Sequence, residues 1–264
     1  MTEALAPARD FVQSLARGLA VIRALDGRRP LTLSEVARAS ELSRAAARRF
    51  LLTLERLGYV RQSGGRFELT PRVLELGFSY LSALGLPELA QPHLEELVEH
   101  VHESSSISVL DGATIVYVAR VPTRRIMAVV ISVGTRLPAY ATSMGRVLLA
   151  ALEPEALAAV LERIELEPLA HDTIATRAQL EEELDRVRSQ GHAIVDQELE
   201  SGLRSVAAPI RDRGGATIAA INVAVQAARV SVKEIRDSLL EPLLATAAAI
   251  ERDLAAAGTA RQRA

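Results

Sequence analysis

The sequence predicts an α+β protein with a small, mainly helical N-terminal domain and a larger C-terminal domain built on an antiparallel sheet. Two observations predict this class. Apolar residues recur at helical spacing up to about residue 57, and from residue 106 onward short β-branched runs are mixed with helical segments. Hairpins mixed with helices, rather than regular strand–helix alternation, favour antiparallel pairing. A chain of 264 residues is long enough for two hydrophobic cores.

Composition excludes several classes of function. The chain has no cysteine, which excludes disulfides, thiol nucleophiles and cysteine zinc sites. The first residues given do not read as a basic segment followed by an apolar stretch, and no uninterrupted apolar run is long enough to span a bilayer, so we expect a cytoplasmic protein. Its net charge of −2 is segregated, because residues 11–66 hold eleven arginines against four acidic residues, a local +7. Such a segment suits a polyanionic partner, although a solvated basic face gives the same pattern.

The N-terminal pattern predicts a winged helix-turn-helix. The first helix is indicated by four apolar residues at spacings of four and three: Leu15, Leu19, Ile22 and Leu25. Thr32 and Glu35 form a capping box for a second helix, and Ser43 is a good N-cap for a third. The third helix carries an apolar stripe of Ala47, Phe50, Leu51, Leu54 and Leu57. The turn Ser63-Gly64-Gly65 between two strand-like runs predicts the hairpin of a wing.

The third helix has the features of a recognition helix. Arg44 and Arg48 lie one turn apart with only the small Ala45 beside them, so both side chains can enter a DNA groove. Helix-turn-helix spacing also occurs in ordinary helical cores, but here it is joined to a basic helix and a hairpin. The residues predicted to contact DNA are Thr32, Ser43, Arg44, Ala45, Arg48, Arg49, Arg61 and Arg66.

The remaining pattern predicts the domain boundaries. We expect a DNA-binding domain over 11–70, a linker helix over 71–85 that begins at Pro71, a C-terminal domain over 86–256 and a disordered tail over 257–264. Strands are predicted at Ile107–Leu110, Thr114–Val121, Ile126–Val133, Ala193–Val195, Val206–Arg211 and Thr217–Val225. Helices are predicted at 144–163, 177–190 and about 231–256.

Two strings resemble the IclR family of regulators. They are Val133–Ala150, which reads VGTRLPAYATSMGRVLLA, and Gly202–Ile210, which reads GLRSVAAPI. Within that family, Tyr140–Gly145 and Tyr117–Pro122 resemble the Pca/Pob branch, whose members regulate aromatic catabolism through protocatechuate and β-ketoadipate. The resemblance covers roughly residues 11–255. It implies a GAF-like effector domain, dimerisation through the DNA-binding halves and often a dimer of dimers.

Local physical chemistry, and for two residues the resemblance, predict where a small organic acid binds. The segment Thr142-Ser143-Met144-Gly145 falls where a loop turns into a helix, so its amides and the helix dipole could hold a carboxylate. Arg124 and Arg125 could bind it as a clamp, but adjacent strand residues point in opposite directions, so at most one would face inward. The alternative is that both lie in a solvated loop. By family position, Asp196 and Ser205 border the pocket. The predicted effector-binding residues are Arg124, Arg125, Thr142, Ser143, Met144, Gly145, Asp196 and Ser205.

A serine hydrolase is the competing interpretation of the same segment. Ala141–Gly145 differs from the G-x-S-x-G nucleophile elbow only at its first residue. An elbow needs a buried strand before the serine, however, and Leu137–Tyr140 contains a proline that cannot donate to a sheet. Asp172 and His192 follow in the chain order of a triad, yet neither has a supporting context. We expect a regulator and no enzyme.

The sequence favours neither a metal site nor a cofactor site. His100 and His102 diverge around a helix and cannot readily share a metal, and no phosphate or dinucleotide loop occurs, so we expect no metal and no cofactor.

Glu198 and Glu200 are expected on an outer face.

The C-terminal domain has two possible roles. An architectural DNA-binding protein would use residues 86–256 for oligomerisation alone. The favoured hypothesis is a dimer on a pseudo-palindromic operator, switched by its effector through the linker helix.

Overall fold

The computed structural model describes residues 11–25, 29–77, 85–123 and 131–261. By its internal contacts the chain divides into two compact units, Met1–Ala83 and Leu84–Ala264. The predicted combination of an N-terminal helix-turn-helix with a C-terminal antiparallel sheet is confirmed.

The N-terminal unit is a helix-turn-helix with a small sheet. Its helices are α1 (Gln13–Ala24), α2 (Leu33–Ala39) and α3 (Arg44–Arg56). Its described strands are β1 (Leu31–Thr32), β2 (Val60–Ser63) and β3 (Arg66–Leu69), in the order β1-β3-β2 with antiparallel pairing. The hairpin between β2 and β3 turns at Gly64 and Gly65, which both have positive φ, a conformation that costs a glycine little. The predicted wing is therefore present.

The first helix buries only the second half of the predicted stripe, since Leu25 is buried and Ile22 packs against the core. Val21 and Leu25 are buried, whereas Leu15 and Leu19 are exposed. Gly18 lies on the core side of the helix, since a Cβ added there would be in ordinary contact, at 3.8 Å, with the ring of Phe50. The helix thus approaches the core along Gly18, Val21 and Leu25, and hydrophobicity alone does not reveal a glycine on the buried side. In α3, the predicted stripe fails only at its end, where Leu57 is exposed.

The segment after the wing is described only in part. Residues 71–77 are helical and begin with a 3-10 turn at Pro71–Leu74, capped by the Thr70 side chain. Residues 78–84 of the predicted linker helix lie outside the described residues.

The C-terminal unit is built on an antiparallel sheet. Within the described residues six strands take part, in the order β6-β5-β4-β9-β8-β7. They are β4 (Ser104–Asp111), β5 (Thr114–Val121), β6 (Arg136–Pro138), β7 (Ala193–Asp196), β8 (Leu203–Arg211) and β9 (Thr217–Gln226). Of the predicted strand Ile126–Val133, residues 126–130 lie outside the described residues and 131–133 are not a strand. The edge strand β6 follows instead, where the sequence suggested none.

Helices cover both faces of this sheet. They are α4 (Leu86–Val101), α5 (Ser143–Ala150), α6 (Pro154–Leu161), α7 (Arg177–Gln190) and α8 (Leu240–Arg261), the last preceded by a π-helical segment, Ile235–Leu239. The prediction for 177–190 is confirmed. The single helix predicted over 144–163 is wrong, because Pro154 begins a new helix. The tail predicted from 257 is also wrong up to residue 261, since α8 continues there.

The core of the C-terminal unit positions the N-terminus of α5. Met144 and Leu148 of α5 pack with Leu184 of α7 on the sheet face that carries Ala207 and Ala220. Helices α4 and α8 pack against each other and against the sheet. Because side chains alternate along a strand, Ile107 faces the opposite side from Ser106 and Ser108. The start of α5 therefore lies directly on the polar side of β4, where Ser108 donates to the Met144 sulfur at 3.3 Å.

Candidate functional site

The helix α3 presents arginines without internal partners. Ser43 caps it, accepting from the Ala46 amide at 3.2 Å. Arg44, Arg48 and Arg49 are exposed, and within the described part of the chain their side chains make no hydrogen bond or ion pair. A helix that turns its apolar side to the core and three unpaired guanidinium groups to solvent is suited to bind a phosphate-rich groove.

The wing arginines are different, because carboxylates already hold them. Arg61 pairs with Glu68 across the hairpin at 2.8 Å, and Arg66 lies 3.7 Å from Glu35 and donates to the Pro30 carbonyl. Both side chains remain half-exposed. Their positive charge is partly neutralised, so the wing presents a weaker field to a polyanion than α3 does.

Thr32 has a structural task at the start of α2. Its hydroxyl donates to Glu35 at 2.8 Å, and its amide donates to the same carboxylate at 2.7 Å. The hydrogen bond from Arg29, followed by those from Thr32, lowers the pKa of Glu35 to about 2. The predicted capping box is therefore confirmed, and the hydroxyl predicted to contact DNA is already used within it.

The C-terminal unit contains a narrow cavity beside the N-terminus of α5. Its free volume is only about 20 Å³, roughly the room for one water molecule, so the cavity is nearly closed in this structure. Among the predicted effector residues, Thr142, Ser143, Met144 and Ser205 line it. The sheet contributes Tyr117, Arg120, Val195, Asn222 and Ala224 to the wall. The cavity thus combines an apolar surface with a few polar groups, as small-molecule sites do.

Not every amide at the start of α5 is open. Thr142 caps the helix, and the Gly145 amide donates to its hydroxyl at 3.1 Å. The amides of Ser143 and Met144 have no acceptor among the described residues. Gly145 itself is required for packing, because a Cβ there would overlap the backbone of Ala139. The start of α5 therefore keeps two amide donors for a ligand. It packs closely against Ala139 because Gly145 has no side chain.

A β-bulge places two polar residues of β5 in this cavity. Ser106 pairs with Arg120 and Ser108 with Tyr117, so that β5 has one residue more than β4 between the pairs. The extra residue, Val118, brings Tyr117 and Arg120 to the same face although they are three apart. Sequence reasoning missed both residues, because a regular strand puts residues three apart on opposite faces.

Several donors in the cavity have no partner in the described structure. The Arg120 Nη1 donates to Ser106 at 3.1 Å, but its other nitrogens, the Tyr117 hydroxyl and the Asn222 side-chain amide nitrogen make no hydrogen bond. Burial raises the pKa of Tyr117 to about 12, so its phenol remains protonated. Burial also lowers the pKa of Arg120 from its ordinary value. A cation and two neutral donors therefore face the cavity together.

Asp196 does not border the cavity, contrary to the prediction. Val195 pairs with Ser205, and Asp196 pairs with Arg204, so alternation puts Asp196 and Arg204 on the other face of the sheet. There the Asp196 carboxylate accepts from Arg204 at 2.5 Å. Arg124 and Arg125, the predicted clamp, lie outside the described residues.

A buried ion pair joins α5 to the segment between β7 and β8. Arg146, only 2% exposed, donates to both carboxylate oxygens of Glu198 at 2.8 and 2.5 Å. Its Nε donates to the Tyr140 carbonyl at 2.9 Å, and Glu198 also accepts from the Ile174 amide. The prediction of an outer-face position for Glu198 is wrong. The pair fixes the segment that carries Leu199, another wall residue of the cavity.

The described geometry gives the hydrolase interpretation no support. The Ser143 hydroxyl donates to Ser205 at 2.8 Å, whereas His192 is bonded to the Gln190 backbone. Thr142, which precedes the serine, follows a 3-10 turn and not a strand. Among the residues described, three or more His, Asp or Glu side chains nowhere gather as metal ligands would, and no helix is long and apolar enough to cross a membrane.

Two family models match nearly the whole chain. Residues 14–64 match the IclR helix-turn-helix domain. Residues 78–252 match the model described as the C-terminal part of the bacterial transcriptional regulator IclR. Together they cover the helix-turn-helix unit and the cavity-bearing unit.

Curated relatives agree with these models. The Pca regulon regulatory protein of Pseudomonas putida is 45% identical over 89% of this chain and 82% of its own. The p-hydroxybenzoate hydroxylase transcriptional activator of Acinetobacter baylyi is 39% identical over 93% of this chain and 92% of its own.

Two solved structures show the same fold. A transcriptional regulator from Rhodococcus sp. RHA1 is 60% identical with a TM-score of 0.82, over 92% of this chain and 98% of its own. An IclR homologue from Microbacterium hydrocarbonoxydans, complexed with 4-hydroxybenzoate, is 27% identical with a TM-score of 0.81, over 91% of this chain and 98% of its own.

Proposed function

Since the chain belongs to the IclR family of transcriptional regulators and is most like its Pca/Pob branch, we propose that a small carboxylate effector controls its action at an operator. The effector is an aromatic acid or a β-ketoadipate-type catabolite. The unpartnered arginines of α3 are the single observation that best supports the DNA-binding half. The donor-lined cavity supports the effector half.

Operator binding uses α3 and, more weakly, the wing. Arg44 and Arg48, with Ala45 between them, read base edges in the major groove, while Ser43 and Arg49 contact phosphate. Arg61 and Arg66 contact the DNA backbone more weakly, because Glu68 and Glu35 already neutralise part of their charge. Thr32 supports the site by capping α2.

Effector binding uses the cavity beside α5. Thr142, Ser143, Met144 and Ser205 line it, and Gly145 permits the close packing of α5 that shapes it. The solved homologue with bound 4-hydroxybenzoate supports a hydroxylated aromatic acid as the ligand class. The adaptable thioether of Met144 can pack against an aromatic ring.

The assembly that fits this function is a homodimer, or a dimer of dimers, in the cytoplasm. We assign DNA binding to residues 11–70, the linker to 71–85, and effector binding and oligomerisation to 86–256. We infer a regulator and no enzyme, because Ser143 is bonded to Ser205 and not to a histidine. Effector and operator affinities are then reciprocally coupled.

The test is a fluorescence-anisotropy titration of the full-length protein on the intergenic DNA upstream of its gene. The titration is repeated across a salt series, with and without 4-hydroxybenzoate, protocatechuate and β-ketoadipate. We expect tighter binding than to random DNA of the same length, weakening as salt rises, and a shifted affinity with one acid. The proposal would be contradicted if the protein bound neither this intergenic DNA nor any operator selected from genomic fragments more tightly than random DNA.

A further inference from the structure

The cavity has two polar ends, and only one of them carries a formal charge. At the first end, Ser143 and Ser205 are hydrogen-bonded to each other at 2.8 Å. At the second end, Arg120 stands over Ser106, with Asn222 directly across the neighbouring strand. Among the described lining residues no carboxylate faces this cavity, because Asp196 lies on the opposite side of the sheet.

The charged end is not neutralised inside the protein. Within the described residues Arg120 makes one hydrogen bond, to the neutral hydroxyl of Ser106, and has no ion pair. A half-buried guanidinium with spare donors is costly unless an anion or water completes its hydrogen bonds. The nearby Asn222 uses its side-chain oxygen on the Ser106 amide at 3.1 Å, which orients its nitrogen as a further donor.

We propose that Arg120, assisted by Asn222, binds the carboxylate of the effector, while the Ser143–Ser205 hydroxyl pair binds a polar group at the opposite end of the ligand. The inference rests on the proposed function and deepens it, because it assigns the anchor for the effector's charge. The planar guanidinium matches a carboxylate with parallel hydrogen bonds. The phenol of Tyr117 adds a neutral donor at the same end.

The spacing of the two ends fits an elongated acid. Ser106 pairs with Asn222, and Ser205 pairs with Ala224 two residues further along the same strand. At about 4.8 Å per strand and 3.3 Å per residue, the Cα atoms of Ser106 and Ser205 lie roughly 12 Å apart. Side chains from both ends shorten the gap. A ring, or a short chain, with polar groups at its two ends fits this span.

The neutral end discriminates by hydrogen bonding. The Ser143 and Ser205 hydroxyls can each donate and accept, so either can rotate to meet a phenol or a second carboxylate. A ligand without a distal polar group leaves this pair bonded only to itself. Recognition of the class therefore needs Arg120 for charge and the serine pair for the second group.

The test uses calorimetric titration of the full-length protein with 4-hydroxybenzoate and its neutral isostere 4-hydroxybenzamide. The wild-type protein is expected to bind the benzoate at least about tenfold more tightly, as charge-assisted hydrogen bonds require. Arg120→Gln should weaken benzoate binding about 10- to 100-fold and change benzamide binding less than about threefold. Arg120→Lys, which keeps the charge but not the planar fork, should lie between.

Controls separate this role from a structural one. Arg136→Gln removes an exposed arginine of the neighbouring strand, outside the cavity, and should change neither affinity. Ser205→Ala should weaken binding of 4-hydroxybenzoate but not of unsubstituted benzoate. Equal melting temperatures and equal operator affinity without ligand will show that Arg120→Gln is folded.

Two results would overturn the inference while leaving effector-controlled regulation intact. The first is that the wild-type protein binds 4-hydroxybenzamide as tightly as 4-hydroxybenzoate. The second is that the Arg120→Gln variant binds 4-hydroxybenzoate as tightly as the wild-type protein does. If the wild-type protein bound none of 4-hydroxybenzoate, protocatechuate and β-ketoadipate, both the inference and the carboxylate part of the proposed function would be overturned. Operator binding, measured separately, would still report on its DNA-binding part.

Discussion

Replacement of Glu198 by alanine should destabilise the C-terminal unit far more than a surface substitution would. The change leaves the Arg146 guanidinium, 2% exposed, without the carboxylate that accepts from both of its terminal nitrogens. Two acceptors remain near it, the Tyr140 carbonyl at 2.9 Å and the Glu183 carboxylate at 3.8 Å. The dominant cost is a buried guanidinium that has lost its main counter-ion.

The magnitude follows from this geometry. Removing one partner of a buried pair costs about 3–5 kcal/mol, and the remaining acceptors place this case at about 3–4 kcal/mol. For a unit of this size, that loss lowers Tm by roughly 6–16 °C. The matched control is Arg177→Met, which breaks a pair with Glu181 whose two side chains are about half-exposed and should cost less than about 1 kcal/mol.

Urea unfolding followed by circular dichroism measures both variants. The double variant Arg146→Met with Glu198→Met removes the orphaned charge and should therefore be less destabilised than Glu198→Ala. The reasoning that the Arg146–Glu198 pair holds the segment beside the cavity would be refuted if Glu198→Ala lost no more stability than Arg177→Met.

Three further predictions test the DNA-binding unit and the packing of α5. Arg48→Ala should weaken operator binding about 10- to 100-fold in anisotropy titrations, whereas Arg213→Ala, in a turn of the C-terminal unit, should not. Gly145→Ala should lower Tm and effector affinity, because the new Cβ would overlap backbone, while Gly77→Ala, with no heavy atom near its added Cβ, should leave both unchanged. Glu35 has a pKa of about 2, below its usual 4.5, so its contribution to the free energy of unfolding is complete above about pH 4.5 and is lost as the pH falls towards 2. Glu35→Gln should therefore reduce the loss of stability at acid pH in a plot of unfolding free energy against pH.

Local signals in the sequence were enough to predict the helix-turn-helix. The capping residues Thr32 and Ser43 mark the starts of α2 and α3, and the glycines of the wing mark its turn. These motifs act within a few residues, so they can be recognised in a linear pattern. The exposure of Leu15 and Leu19 in α1 was missed, because the side that faces the core there carries Gly18, beside Phe50, and a hydrophobic period does not reveal a glycine.

Part of the cavity was predictable and part was not. Thr142, Ser143, Met144 and Ser205 were predicted and do line it. Arg120 and Tyr117 were missed, because the bulge at Val118 becomes visible only once β4 and β5 are paired. Register, unlike propensity, depends on both strands.

Two acidic residues show the same limit. Asp196 was predicted at the cavity but faces away from it, because the register of β7 against β8 puts Val195 beside Ser205 instead. Glu198 was expected on an outer face, yet its partner Arg146 lies 52 residues earlier in the chain. Contacts over such separations are set by the fold and not by local pattern.

The most direct test of effector-controlled operator binding is a linkage measurement on the full-length protein. The affinity for operator DNA is measured with and without saturating 4-hydroxybenzoate, and the affinity for 4-hydroxybenzoate is measured with and without saturating operator DNA. We expect both affinities to change by the same factor, about 5- to 150-fold, because two coupled sites must influence each other equally. Tight binding of both partners with no mutual effect would contradict effector-controlled operator binding by this protein.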